Sequence, residues 1–384
     1  MKIALAADFH LDMRQFNNSQ RWNDFLEAFT TVTKEVETRS VDAYVIAGDI
    51  FHKYRPHPGI IRRFLKEISN LSCPTILIRG NHDSPQLFFE KFGGDTLHLI
   101  DDVSSTIYLN KKNPIHEIGD TCFIGVGYVG FNISNEIEKI VVEAIQTSSA
   151  ETKIGIFHQL LDYPGVPESN ADISRFFLRS LGFNIILMGH YHNAFHDGNL
   201  YNPGSPEYWA FDQAEQTSLN LDTDEEISKP AKKRGFFVVD SEKSRGEFVE
   251  LQPKRPMFCV TYTTESFNER IHIPRIKEHL EKFNIEGAML KTIIYGKHRL
   301  GRVGLSKNLH LTKPLIHNTA IMLTPFRDQL EKIDSITAQT EYLVERGIEK
   351  TEARKLAEWL ENNRDRLSIL RSHEIVSALR EVLG

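Results

Sequence analysis

Short apolar runs recur through the first half of the chain, and each stops at a residue able to ligate a metal. Tyr44–Ala47 is bounded by Gly48, and Asp49 follows at once. Ile3–Ala7 leads to Asp8 and His10, and Thr75–Ile78 leads to Asn81, His82 and Asp83. Lys153–Phe157 delivers His158, and Asn184–Met188 delivers His190 and His192. Runs of this length and composition, punctuated by glycine and polar residues, predict buried strands. Ligands of open α/β sheets gather at the carboxyl ends of strands. One histidine so placed is most simply a satisfied, half-buried imidazole, but five strand exits in order predict a common site. Asp8–His10 and His190–His192 are each two residues apart, which on extended backbone puts both side chains on one face, as two ligands of one metal require.

The segments between are helical in pattern. Trp22, Phe25, Leu26, Phe29, Val32 and Val36 form one apolar stripe, with Asn18 or Ser19 placed to cap it. That stripe reads as core packing, so Trp22 is given no ligand role. A second helix is expected near Gly59–Asn70, and strand–helix–strand alternation predicts an α/β fold with largely parallel pairing. Thr106–Leu109 and Cys122–Val129 read as strands of a second sheet, and Asn135–Thr147 as a helix. Residues 212–234, acidic and then basic, read as a mobile loop or linker. A hairpin of Gly235–Asp240 and Glu247–Leu251 follows. From Met257 the pattern restarts as a small α+β unit: strand Met257–Tyr262, helix Ile273–Phe283, strands Leu290–Tyr295 and Ala320–Leu323. From about Arg327 it is helical, with apolar faces at Leu356, Trp359 and Leu360 and at Ile375, Leu379, Val382 and Leu383. The division expected is 1–252, 253–326 and 327–384.

Composition narrows the setting. At 384 residues the chain has room for two or three domains, and its net charge of −6 offers no global attraction to nucleic acid, so any such binding needs local basic patches. Cys73, Cys122 and Cys259 are scattered and form no CxxC pair, which argues against a disulfide framework or a thiolate zinc site and for a reducing compartment. The start of the chain lacks the pattern of a signal peptide, and no apolar run reaches membrane-spanning length; a cytoplasmic protein is expected.

The donor set is oxygen and imidazole nitrogen without thiolate, which suits Mn²⁺, Fe²⁺ or Zn²⁺. Two such ions about 3.5–4 Å apart would need a bridging carboxylate, and Asp49, the central strand-end carboxylate, is the best placed. Asp8-x-His10, Gly48-Asp49, Gly80-Asn81-His82-Asp83, His158 and Gly189-His190-x-His192 resemble the calcineurin-like metallophosphoesterases. His52 with Arg55-Pro56-x-Pro58, Phe157-His158-Gln159, Asn202-Pro-Gly-Ser-Pro-Glu207 and Arg234–Asp240 narrow the likeness to the SbcD-type nucleases of double-strand-break repair.

That resemblance implies a two-sheet metallophosphoesterase sandwich flanked by helices over 1–252, a smaller α+β capping, DNA-binding domain over 253–326, and C-terminal helices over 327–384 that either dock the ATPase partner or merely pack on the cap. It implies two divalent metals, Mn²⁺ foremost: one held by Asp8, His10, Asp49 and His192, the other by Asp49, Asn81, His158 and His190. His82 would stabilise the scissile phosphate or protonate the leaving oxygen, and His52 would face the substrate; Asp83 would either orient His82 or be an ordinary turn-capping aspartate. Lys53, Arg55 and Arg299 are the expected DNA contacts, with Arg62, Arg63, Lys297 and Arg302 as further candidates. The implied activity is a 3′–5′ exonuclease on duplex DNA and an endonuclease on single strands, in a nucleoid-associated homodimer with an SbcC-type coiled-coil ATPase. A nucleotide phosphodiesterase acting on small molecules is the alternative: it would keep the ligands but need neither cap nor terminal helices. A catalytically silent scaffold would not need so many candidate ligands. The flanking Phe51-His52 and Asp83 depart from the protein Ser/Thr phosphatase pattern.

Overall fold

The computed structural model describes residues 1–84, 94–163, 166, 168–297, 309, 311–324, 340, 343–344 and 349–362, with backbone alone for 168, 324 and 360–362. In chain order the first strands are β1 (Lys2–Ala6), β2 (Ala43–Ala47), β3 (Thr75–Ile78) and β4 (Thr106–Tyr108). Next come β5 (Ile115–Ile118), β6 (Thr121–Val126), β7 (Thr152–His158), β8 (Ile185–Gly189), β9 (Phe195–Asp197) and β10 (Leu200–Asn202). The remainder are β11 (Glu215–Asn220), β12 (Glu226–Lys229), β13 (Arg234–Asp240), β14 (Arg245–Leu251), β15 (Met257–Thr263), β16 (Met289–Lys297) and β17 (Ile316–Thr324). The helices are α1 (Ser19–Thr38), α2 (Pro58–Ile68), α3 (Thr96–Val103), α4 (Ile133–Thr147), α5 (Arg175–Ser180), α6 (Glu269–Leu280) and α7 (Lys350–Asn362).

The first sheet runs β14-β13-β1-β2-β3-β4 and the second β5-β6-β7-β8-β10-β9. Their central pairs are parallel, and the register aligns the exits: Ala47 lies opposite Ile78, and His158 opposite Gly189. Ile3, Leu5, Val45, Ala47, Ile76 and Ile78 meet Ile154, Ile156, Ile185 and Leu187 between the two sheets. The alternate residues, Ala4, Ala6, Tyr44, Ile46 and Leu77, face Phe29, Val32, Val36, Ile60 and Phe64 of α1 and α2. On the far side, Ile124, Ile186 and Met188 pack on Ile137, Val141 and Ala144 of α4. Both faces of the central strands are thus covered, which is why they read as unbroken apolar runs. Asn18 is the cap of α1, accepting the amides of Gln20 and Arg21 at 2.8 and 3.3 Å. Trp22 packs against the same core and donates to Asp12 at 3.1 Å.

Two expectations are corrected. Thr106–Tyr108 pairs with β3 and is the edge of the first sheet, not part of the second. Residues 212–234 are not a linker: β11 and β12 form a hairpin, and β11 pairs in parallel with β15. The third sheet, β12-β11-β15-β16-β17, therefore draws strands from both sides of the β13–β14 hairpin. Phe258, Val260, Tyr262 and Leu290 of this sheet pack on Ile273, Ile276 and Leu280 of α6. Arg255 donates to the buried Asp24 at 2.8 Å and Lys254 reaches Glu27, tying the base of this sheet to α1. Arg299, Arg302 and the apolar positions expected at Ile375, Leu379, Val382 and Leu383 lie outside the described residues. No helix among the described residues is long and apolar enough to cross a membrane.

Candidate metal centre

The exits of β1, β2, β3, β7 and β8 converge at one end of the sandwich. Asp8, His10, Asp49 and His158 are fully buried. Asp49 Oδ2 lies 3.6 Å from His10 Nε2 and 3.5 Å from His158 Nε2, midway between two groups of donors. On one side are Asp8, His10 and His192, with His10 Nε2 3.1 Å from His192 Nε2 and His192 Nε2 3.9 Å from Asp8 Oδ1. On the other are His158 and His190, with Asn81 Oδ1 at 3.2 Å from His158 Nε2 and 2.9 Å from His190 Nδ1. Within each group the His, Asp and Glu ligand atoms lie within 4.8 Å of one another.

The backbone that achieves this is strained. Asp8, His10, Asp49 and His190 all have positive φ, at 55°, 45°, 49° and 85°. The face-sharing argument for residues two apart assumed extended chain and is corrected: Asp8 and His10 converge through a tight left-handed turn, while His190 and His192 go to different groups. Left-handed non-glycine residues cost of order 1–3 kcal/mol each and cluster at functional sites. Gly48, at φ 87°, permits a close approach, because a Cβ there would overlap the His158 ring.

Supporting bonds aim the side chains. His158 Nδ1–H donates to the Ala47 carbonyl at 2.7 Å, which turns Nε2 toward Asp49. Asp49 Oδ1 takes the His82 amide at 2.9 Å, freeing Oδ2 for the centre. The His190 amide donates to Asp8 at 3.1 Å. His82 Nδ1–H donates to the His52 carbonyl at 3.1 Å, and the two rings stack at 5.0 Å.

Asp83 is corrected. It does not touch the His82 ring; its carboxylate accepts the amides of Gly80 and Ile50 on Oδ2 and of Phe51 on Oδ1, at 2.9, 3.2 and 2.8 Å. It staples the loop after β3 to the loop after β2. Lys53 and Arg55 follow His52 in that second loop, both exposed, and the Arg55 guanidinium lies 5.3 Å from the Tyr54 ring centre. Of the remaining basic candidates, Arg63 is paired with Glu67 at 2.7 Å.

The electrostatics fit a cation. Burial pushes Asp8 up to about 8, with His158 opposing and Asp49 reinforcing the shift. Burial also resists ionisation of Asp49, but His158 and His10 outweigh it and hold that carboxylate well below its usual range. Burial would neutralise His158, yet Asp49 carries it up to about 9. Burial lowers His10, takes His52 and His190 down to about 4, and takes His192 down to about 3. Neutral imidazoles are the form that ligates metal. Among the described residues no lysine or arginine pairs with Asp8 or Asp49. Buried carboxylates without a fixed counter-charge are costly unless a cation completes them.

Three residues with no assigned role from sequence also build the site. Arg234, buried in β13, donates to the carbonyls of His192 and Ser205 and to Asn193 Oδ1, at 2.5, 3.3 and 3.0 Å, fixing the loop that carries His192. The Trp209 indole lies 4.1 Å from His10 and 4.6 Å from His192, ring centre to ring centre, and walls that side of the centre. Arg21, fully buried in α1, bonds Asp24, Glu207 and the Tyr208 carbonyl, positioning the chain that leads to Trp209. Arg234 and Glu207 stood inside recognised motifs; Trp209 and Arg21 carried no local signal.

Two facing sheets with a dinuclear ligand set at their carboxyl ends define a metal-dependent hydrolase architecture. The chain belongs to the calcineurin-like phosphoesterase family, whose sequence profile matches residues 1–194. That family uses a dimetal centre, and the Asp/His cluster here is able to bind metal. The chain is similar to proteins named "DNA double-strand break repair protein Mre11". The one from Methanopyrus kandleri is 26% identical over 71% of this chain and 61% of its own length. The one from Archaeoglobus fulgidus is 24% identical over 69% and 62%, and the one from Methanococcus maripaludis 27% over 73% and 86%. The chain thus spans about three fifths of the first two relatives.

Proposed function

We propose that this protein is a two-metal phosphodiesterase that processes DNA ends, a nuclease of the SbcD and Mre11 type. The observation that carries the reading is the placement of Asp49 Oδ2, 3.6 Å from His10 and 3.5 Å from His158, between two sets of oxygen and imidazole donors. One metal takes Asp8, His10, Asp49 and His192; the other takes Asp49, Asn81, His158 and His190. Mn²⁺ suits this oxygen and imidazole set. Bound there, the pair supplies Lewis-acid charge for the phosphate and activates water for in-line displacement.

The chain's own residues do the rest. His82 keeps Nδ1–H on the His52 carbonyl, so Nε2 is the atom that hands a proton to the leaving oxygen when the ring is protonated. His52 faces the substrate beside it. Lys53 and Arg55, on the loop that follows, meet backbone phosphates. Asp83 keeps the two loops in register and has no chemical step. The name of the relatives, a DNA double-strand break repair protein, supports DNA as the substrate; 3′–5′ exonuclease action on duplex ends and endonuclease action on single strands are our reading of the activity. A homodimer with an SbcC-type ATPase, nucleoid-associated in the cytoplasm, is the assembly this reading implies.

The test is degradation of an end-labelled DNA duplex with Mn²⁺, set beside hydrolysis of bis-p-nitrophenyl phosphate. Mononucleotides should leave from 3′ ends, and His82→Ala should lower the rate by about 10²–10⁴-fold, the range of a lost general acid. Turnover of the small ester with DNA untouched, alone and with the ATPase partner, would move the assignment to a nucleotide phosphodiesterase.

A further inference from the structure

Strand β6 runs parallel beside β7, yet its carboxyl end offers the centre neither carboxylate nor imidazole. It ends in Gly127-Tyr128-Val129-Gly130-Phe131, two aromatics between small residues. The Tyr128 amide donates to the Arg79 carbonyl at 2.9 Å, which ties this loop to the strand exit that leads to Asn81. Gln159, next to His158, donates to the Val129 carbonyl at 3.1 Å. The Tyr128 ring consequently sits 6.0 Å from the His190 ring, tilted by 34°.

A cleft of about 730 Å³ opens along this loop, lined among others by Arg79, Tyr108, Lys111, Lys112 and Tyr128. Its volume falls within the roughly 300–1,000 Å³ of ligand sites. Lys111 is engaged by Glu136 at 2.6 Å, and Asp95 is occupied by Tyr108 and His98. Among the described residues Arg79, Lys111 and Lys112 outnumber Asp95 and Glu136 along the cleft. Phe131, beyond it on the same loop, is 86% exposed. A large exposed aromatic beside a cationic cleft is the pattern of an unpaired nucleic-acid strand, whose bases stack while cations follow the phosphates.

We infer that the β6–α4 loop and its cleft hold the unpaired nucleotides of the DNA strand that enters the metal centre, with Tyr128 and Phe131 stacking on bases and Arg79 and Lys112 facing phosphates. This rests on the nuclease reading and adds to it where the unpaired strand is held.

The experiment is fluorescence-anisotropy binding of a labelled oligothymidylate to the full chain in EDTA, comparing wild type with Phe131→Ser, Tyr128→Leu and Lys112→Glu. Each aromatic replacement should weaken binding by about tenfold, the effect of losing one stacking platform. Lys112→Glu should also flatten the salt dependence by about one phosphate contact. In Mn²⁺, the ratio of DNA turnover to small-ester turnover should fall in the same order. Because Phe131 is on the surface, its replacement tests the site without risk to the fold, and circular dichroism checks Tyr128→Leu. If wild type binds and degrades DNA while all three variants match it, the inference is wrong and the nuclease reading stands. If wild type neither binds nor degrades DNA but hydrolyses the ester, the nuclease reading fails and takes the inference with it.

Discussion

At the scale of single residues, Asp49 does two jobs with two oxygens: Oδ1 holds the His82 amide and Oδ2 stands between the donor groups. Asp49→Ala should therefore lose both metals in elemental analysis after dialysis. His82→Ala should keep both and lose turnover, since its ring is in neither donor group around Asp49. Equal metal loss in the two variants would contradict the role given to His82. Arg234 acts one layer further out. Arg234→Met removes the donors to four oxygens, those of the Lys232, His192 and Ser205 carbonyls and Asn193 Oδ1, and should cost about 3 kcal/mol in denaturant unfolding. It should also weaken metal binding on the His192 side more than on the His190 side. The identities of the ligand candidates were readable because strand exits punctuate the sequence. The capping of its own turn by Asp83 was an open reading, but its bonds to Ile50 and Phe51 of a distant loop were not legible, since they leave no mark on its neighbours. Nor was Trp209, which reaches four imidazoles only through the fold.

At the scale of elements, strand, glycine and left-handed exit form one unit, repeated with variation. Gly48→Ala should lower both stability and metal loading. Positive φ alone costs an alanine roughly 1 kcal/mol or more, and the Cβ would displace the His158 ring. Circular dichroism melting beside metal analysis would check both effects. Phe29→Ala in α1 tests the helix layer instead: its ring meets Phe9 at 5.0 Å and Phe64 at 5.2 Å. A loss of about 3–5 kcal/mol is expected there, with metal stoichiometry retained in the folded fraction. Periodicity revealed α1, the central strands and the β13–β14 hairpin because their burial is regular. It failed for β4, where a three-residue strand gives no clue to its sheet. It failed again for β11 and β12: β12 is exposed along its whole length and β11 alternates, so a sheet-forming hairpin looked like polar linker.

At the scale of the molecule, the third sheet meets the sandwich through Arg255 and Lys254 on α1, and Asp24 is shared between Arg255 and the buried Arg21. The Arg21–Glu207 network behind it runs on to Trp209, so the contact that seats the third sheet also supports one wall of the metal site. Arg255→Ala should free the third sheet without unfolding the sandwich. Hydrogen exchange would then rise across Met257–Thr263 while Ala43–Ala47 stays protected. Unchanged exchange in both would mean that other contacts seat the sheet. The net charge of −6 fits this picture, because the cations proposed to meet DNA are local to the loops around the centre. The central claim is that one carboxylate, Asp49, is shared by two metals, and electron paramagnetic resonance of the Mn²⁺-loaded protein tests it most directly. Two Mn²⁺ per chain with an exchange-coupled spectrum that disappears in Asp49→Ala is the predicted result. A single Mn²⁺, or two uncoupled ions whose spectrum Asp49→Ala leaves unchanged, would contradict it.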